Sequence, residues 1–274
     1  MPNNNISQSG IFFSCTEKSF LVKEHTVPVH VLTHIYSGKL LVKEADKSYL
    51  INEGETVLFA KNQLAKITKY PSDDQPFKSI SIFFTQDFLQ QYYTLHLKAE
   101  TTITQPKVLL FNKHPLLDSL YNSILPYYEM AEGLPQALLS LKLTEAMTII
   151  RQISHTVDGI LTDFAEPGKI DLAEYMQKNF SFNIPTEQFA YLTGRSLASF
   201  KRDFQKKFNT SPQKWLVQKR LEQAHYLIAE RKQKPSEVYL EVGFENLSHF
   251  SYAFKQFFGY NPSSISLSFS ANNL

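Results

Sequence analysis

Residues 193–212 read TGRSLASFKRDFQKKFNTSP, and residues 242–262 read VGFENLSHFSYAFKQFFGYNP. Each stretch sets a glycine ahead of an apolar stripe at helical spacing. In the first, Gly194 suits the positive φ that turns one helix sharply into the next. Ser196 is a good N-cap. Leu197, Phe200, Phe204 and Phe208 then recur every three or four residues and form an inner face. Ser199, Lys201, Arg202, Lys206 and Lys207 fall on the outer face. In the second, Gly243 supplies the turn and Phe250, Ala253, Phe254 and Phe257 form the inner stripe. His249, Ser251, Tyr252, Lys255 and Gln256 lie outward or at the edges. Gly259 ends that helix and Asn261-Pro262 stops it.

A short helix precedes each glycine. Pro185 and Thr186 open one that carries Phe189, Ala190 and Leu192, and Ser236 is read as the cap of Glu237–Val242. Ile170–Phe180 is a further amphipathic helix ahead of both. Between the two stretches, Ser211 caps a helix with Pro212 at its first position. It runs through Trp215, Leu216, Leu221, Ala224, Leu227 and Ile228 to about residue 231, a length of about 30 Å at ~1.5 Å per residue. Successive major-groove faces on one side of B-DNA lie about 34 Å apart. Helix, glycine and helix thus occur twice, separated by roughly one duplex turn, which is the layout of a tandem helix-turn-helix.

These residues carry a family resemblance. Ser196-x3-Phe200-Lys201-Arg202-x-Phe204-x3-Phe208-x2-Ser211-Pro212, then Arg220-Leu221-x2-Ala224, then Val242-Gly243-Phe244-x3-Ser248-x-Phe250-x3-Phe254-Lys255-x3-Gly259-x2-Pro262, resemble the AraC/XylS family of bacterial transcription regulators. The resemblance covers about residues 168–266. It implies that Leu197–Lys207 and Leu247–Phe257 are recognition helices. It puts Ala198, Ser199, Lys201 and Arg202 towards the first groove and Asn246, Ser248, His249, Ser251 and Tyr252 towards the second. Arg195, Ser196, Lys206 and Lys255 complete the DNA-contacting candidates. The chain departs from the family pattern where Tyr252 replaces a frequent arginine, where Tyr239-Leu240 replaces Ile-Ala, and where no Tyr-Arg follows Pro262. Arg195, Lys201, Arg202, Lys206, Lys207, Lys214, Lys219 and Arg220 face Asp203 alone between residues 195 and 220, so the first unit is expected to supply most of the electrostatic grip.

Charge distribution points the same way. The chain of 274 residues has a formal net charge of +2, but residues 1–167 carry −3 and residues 168–274 carry +5. A basic half suits a polyanion. No apolar run approaches the ~18 residues that span a bilayer. Met1-Pro2-Asn3-Asn4-Asn5 does not begin a secretory signal, and the single cysteine, Cys15, is read as a small buried residue of a cytoplasmic protein.

Residues 12–85 read as β-structure: many short strands at regular spacing, including a hairpin around Glu44–Ser48, which argue for a sandwich or small barrel. From Leu116 the period becomes helical, first over Leu116–Met130 with a break near Pro126, then over Pro135–Val157. Leu139, Leu143, Ala146, Ile150 and Ile153 follow a 4-3-4-3 spacing that suits either an intramolecular core or a homodimer seam. Asp158–Lys169 is the best linker stretch. The expected architecture is α+β and multidomain: a cupin-like sensor over 1–110, a helical pair over 111–160 as candidate dimerisation segment, a linker over 161–169 and a DNA-binding domain with two helix-turn-helix units over 170–266.

By family habit the front half receives a small-molecule inducer or a regulatory protein, and the chain activates transcription with RNA polymerase. The rival reading is a cupin-type metal-dependent enzyme with an appended helical domain. It needs clustered ligands, and His30 and His34 are about 13 Å apart along one strand face at ~3.3 Å per residue, too far for one metal. No nucleophile elbow or phosphate-cradling glycine loop occurs. No catalytic residue, metal ligand or cofactor is therefore expected, and the residues lining any ligand pocket stay unassigned.

Overall fold

The computed structural model describes residues 10–22, 26–96, 106–128 and 134–265, and among these it has nine strands and ten α-helices. The expectations at Met1–Asn5, Met130 and Ser266 lie outside those residues. The chain separates into two units, residues 1–165 and 166–274, with the division inside the stretch 161–169.

In the front unit the strands are β1 Gly10–Thr16, β2 Phe20–Val22, β3 His30–Ser37, β4 Lys39–Lys43, β5 Ser48–Ile51, β6 Thr56–Phe59, β7 Lys66–Tyr70, β8 Phe77–Phe84 and β9 Val108–Phe111. Alternation fixes their faces: in β4, Leu40 and Val42 are buried while Lys39 and Lys43 are exposed. The strands pair antiparallel in two separate sheets, β1-β8-β3-β6-β9 and β2-β7-β4-β5. The front unit is accordingly a sandwich, not a closed barrel. Val31, Ile35, Leu40, Val42, Ile51, Val57 and Phe59 fill one core. Leu32, Leu58, Ile80, Ile82 and Phe84 point the other way, into a core shared with helices. With both faces covered, β3 and β8 are nearly continuous in burial.

That helical layer comprises α1 Gln86–Leu95, α2 Pro115–Ile124, α3 Gln136–Ile153 and α4 Val157–Leu161. The predicted break near Pro126 is a tight turn over Leu125–Tyr128. Four of the five stripe residues on α3, Leu139, Leu143, Ala146 and Ile150, are buried in the front unit's own core, with Ile153 packed against it, so the stripe serves the intramolecular alternative. Two expectations are corrected. Asp158 does not begin a linker: its carboxylate is buried, takes Arg151 through Nε at 2.6 Å and Nη2 at 2.9 Å, and accepts the Tyr93 hydroxyl at 2.6 Å. That bidentate pair holds α4 against α3 and α1. Cys15 is exposed, because it lies on edge strand β1 past Ile11 and Phe13, which pack on the helical layer.

The second unit is all helical: α5 Leu172–Asn179, α6 Thr186–Leu192, α7 Leu197–Phe208, α8 Pro212–Ala229, α9 Pro235–Glu241 and α10 Leu247–Phe258. Asp171 caps α5, and Ser211 caps α8 with Pro212 at its first position. Ser236 is not the cap of α9. That helix starts two residues earlier than expected, at Pro235, with Lys234 at the cap position and no side-chain cap bond.

Candidate nucleic-acid interface

Helices α6 and α7 form the first helix-turn-helix. Phe200 and Phe204 are buried, and Phe204 and Phe208 pack on Trp215 of α8 at ring separations of 5.7 and 4.9 Å. With that face committed, Ala198, Lys201, Arg202, Lys206 and Lys207 are exposed and Ser199 is half-buried. The turn is set by Gly194 at φ +64°, where an added Cβ would fall 2.3 Å from the Gly168 backbone. Ser196 caps α7 by accepting from Ser199 N–H at 3.3 Å.

Arg195 is placed differently from the other candidates. Its guanidinium donates to Asp203 at 3.2 Å, to the Ile170 carbonyl at 3.0 Å and to the Thr193 carbonyl at 2.7 Å. Its side chain is only 8 % exposed, so it ties the turn and the segment just before α5 to α7. Arg202, 77 % exposed, lies 3.8 Å from the same aspartate and projects outward.

Helices α9 and α10 repeat the arrangement. Phe250 and Phe254 are fully buried, whereas Phe257 is exposed and Phe258 takes the inner edge instead, continuing the spacing of four. The expected inner place of Phe257 is thereby corrected. Asn246, Ser248, His249, Tyr252 and Lys255 are exposed, and Ser251 is half-buried. Asn246 is the N-cap of α10: its Oδ1 accepts from Ser248 and His249 N–H at 2.8 and 3.1 Å.

The two helix-turn-helix motifs are braced by Arg220, grouped in the sequence with the DNA-facing cations but buried at 8 % exposure. It donates through Nε to the Phe180 carbonyl at 2.8 Å and through Nη2 to the Phe182 carbonyl at 2.8 Å. Through Nη1 it reaches the Gly243 carbonyl at 3.0 Å and Asn183 Oδ1 at 3.4 Å. The loop ahead of the first helix-turn-helix and the turn of the second are therefore held by one planar fork. Gly243, at φ +95°, completes the joint, since a Cβ there would lie 2.4 Å from the Ser181 carbonyl oxygen. The signal was present in the sequence: Leu216, Arg220, Ala224 and Ile228 share one helix face at intervals of four, and an arginine inside an apolar stripe is expected to be buried and bonded. Asp203, meeting Arg195, Arg202 and Lys169, was likewise missed as a hub.

A helix-turn-helix domain family matches residues 189–266, and the ExsA N-terminal regulatory domain family matches residues 30–156. The virulence regulon transcriptional activator VirF of Yersinia enterocolitica is 23 % identical over 234 residues, covering 84 % of this chain and 86 % of that protein. The HTH-type transcriptional regulator ExsA of Pseudomonas aeruginosa is 22 % identical over 232 residues, covering 84 % and 83 %. Both matched regions are those of AraC-type transcription regulators. Among solved structures, ToxT from Vibrio cholerae covers 97 % of this chain and 99 % of its own at 14 % identity and a TM-score of 0.47. These matches make the chain a sequence-specific DNA-binding regulator and set aside the enzyme alternative. No helix among the described residues is long and apolar enough to cross a membrane.

Proposed function

We propose that this regulator works in the cytoplasm and activates transcription, seating α7 and α10 in successive major grooves on one side of double-stranded DNA. The observation that carries the reading is the pair of capped helices whose inner faces are committed to phenylalanine cores, leaving polar and basic faces outward. Lys201, Arg202 and Lys206 with Ser196, Ala198 and Ser199 are the contacts of the first groove. Ser248, His249, Ser251, Tyr252 and Lys255 are those of the second, and Asn246 joins them through its amide nitrogen. Arg195 and Arg220 support the frame instead of touching DNA. Residues 170–266 act as the DNA-binding domain. Residues 1–110, with the helical pair over 111–160, receive a small molecule or a regulatory protein. RNA polymerase and a second copy of the chain are the further partners of this reading.

The test is selection of genomic fragments by the purified chain, followed by reporter transcription from the recovered promoters. Recovered sites should share two conserved blocks about one helical turn apart and raise reporter output when the chain is present. A single conserved block, or repression at every recovered promoter, contradicts the proposal.

A further inference from the structure

The space between the two sheets of the front unit is only partly filled. A cavity of about 180 Å³ opens there, with apolar walls from Val31, Leu40, Phe59, Ala65, Ile67 and Phe83. Strand β8 explains the gap. Its inward positions are Phe77, Ser79, Ser81 and Phe83, so two serines stand where a filled core would carry branched residues. Ser14 of β1 pairs with Ser79, and Thr33 of β3 bonds Ser81 at 2.9 Å. Into this hydroxyl patch comes Lys69 from β7, an inward position opposite buried Leu40. Its ammonium donates to Ser14 Oγ at 2.6 Å and lies 5.5 Å from the Phe77 ring centre. Among the described residues no carboxylate pairs with it. Burial also pulls Lys69 below the usual lysine range.

Gln63 lines the cavity as well. Gln63, just ahead of β7, gives its amide nitrogen to Glu44, while its buried Oε1 has no hydrogen-bond donor. An ammonium lacking a counter-ion and an acceptor lacking a donor are both costly in an apolar setting.

We propose that this cavity is a binding site for a small carboxylic acid with an apolar body and a hydroxyl at its far end, the carboxylate meeting Lys69 and Ser14 and the hydroxyl donating to Gln63. About 180 Å³ is somewhat more than the ~150 Å³ of an apolar cavity that holds a benzene ring, which suits a single aromatic ring with a short chain. The proposal rests on the reading of the front unit as the signal-receiving half. Its test is made on the full chain without DNA, so its failure leaves the DNA reading standing.

The probes are 3-(4-hydroxyphenyl)propionate, 3-phenylpropionate and 3-phenylpropionamide, titrated calorimetrically and by thermal shift. The parent should bind both acids at least tenfold more tightly than the amide, and the hydroxylated acid severalfold more tightly than the plain one. Lys69→Met keeps length and removes charge: it should erase the preference for acid over amide, and its ligand-free melting temperature should rise. Gln63→Leu should erase the hydroxyl preference alone. Ser81→Leu, which fills the cavity, should abolish binding of all three. Absence of binding at millimolar probe, equal binding of acid and amide by the parent, or an acid preference that survives Lys69→Met overturns the proposal.

Discussion

Two arginines of the DNA-binding half have opposite fates. Arg202 leaves α7 into solvent, whereas Arg220 is buried among carbonyls. A guanidinium free to reach a guanine edge bidentately is worth ~1–3 kcal/mol of discrimination. Arg202→Ala should therefore cut specific binding by roughly 10- to 100-fold, and more than Lys214→Ala, in fluorescence anisotropy on a selected site. Equal losses from the two variants would remove the base-reading role. Arg220→Met should act through geometry. It strips the donors from three backbone carbonyls, so stability should fall by about 3 kcal/mol. Affinity for a full site should drop at least tenfold more than affinity for either half-site. A full-site affinity that tracks the half-sites would show that the fork does not set their relation.

At the scale of elements, the caps decide whether each recognition helix is in place. Asn246 accepts two backbone N–H groups with one oxygen. Asn246→Ala should cost about 1 kcal/mol in chemical denaturation. Asn246→Asp should hold stability, since a carboxylate caps as well and suits a helix N-terminus, yet it should weaken DNA binding by removing a donor beside phosphates. Matching stability losses in the two variants would contradict the capping role. The same elements mark what could be read from sequence. Phe200, Phe204, Phe250 and Phe254 betrayed both recognition helices, because a stripe at three and four has one helical phase. Phe257 and Phe258 are adjacent aromatics at a helix end, where periodicity cannot choose between them. Ser236 looked like a cap, but Pro235 starts a helix without one. Asp158 looked like linker because composition cannot foresee that Arg151 and Tyr93 meet it. Among the candidate contacts, exposure was legible from helical phase. The roles of Arg195 and Arg220 depended on carbonyls far away in sequence.

Over the whole molecule, stability and DNA binding answer to different variables. His30 and His34 sit on β3 with ring nitrogens bonded to Lys61 N–H and to the Thr56 hydroxyl. Burial lowers each to about 4; the Lys61 charge adds to the shift at His30, while Asp163 and Asp118 oppose it at His30 and His34 respectively. Below about pH 6.5 the unfolded chain takes up protons that the folded unit refuses, so stability falls as pH drops from 6.5 towards 4. By pH 5 the loss should be of order 2 kcal/mol per histidine. Urea unfolding at pH 7.5 and pH 5 measures it, and a front unit equally stable at both would refute it. DNA affinity should instead fall steeply with salt, with a log–log slope near −0.9 for each phosphate neutralised.

The joint made by Arg220 and Gly243 bears on how target promoters can change over time. Single bases can drift and be tolerated as small losses, but the gap between the two blocks is under a stricter rule. Each base pair inserted there turns one block by about 34° around the duplex axis, and a protein whose reading heads are locked together has no hinge with which to follow it.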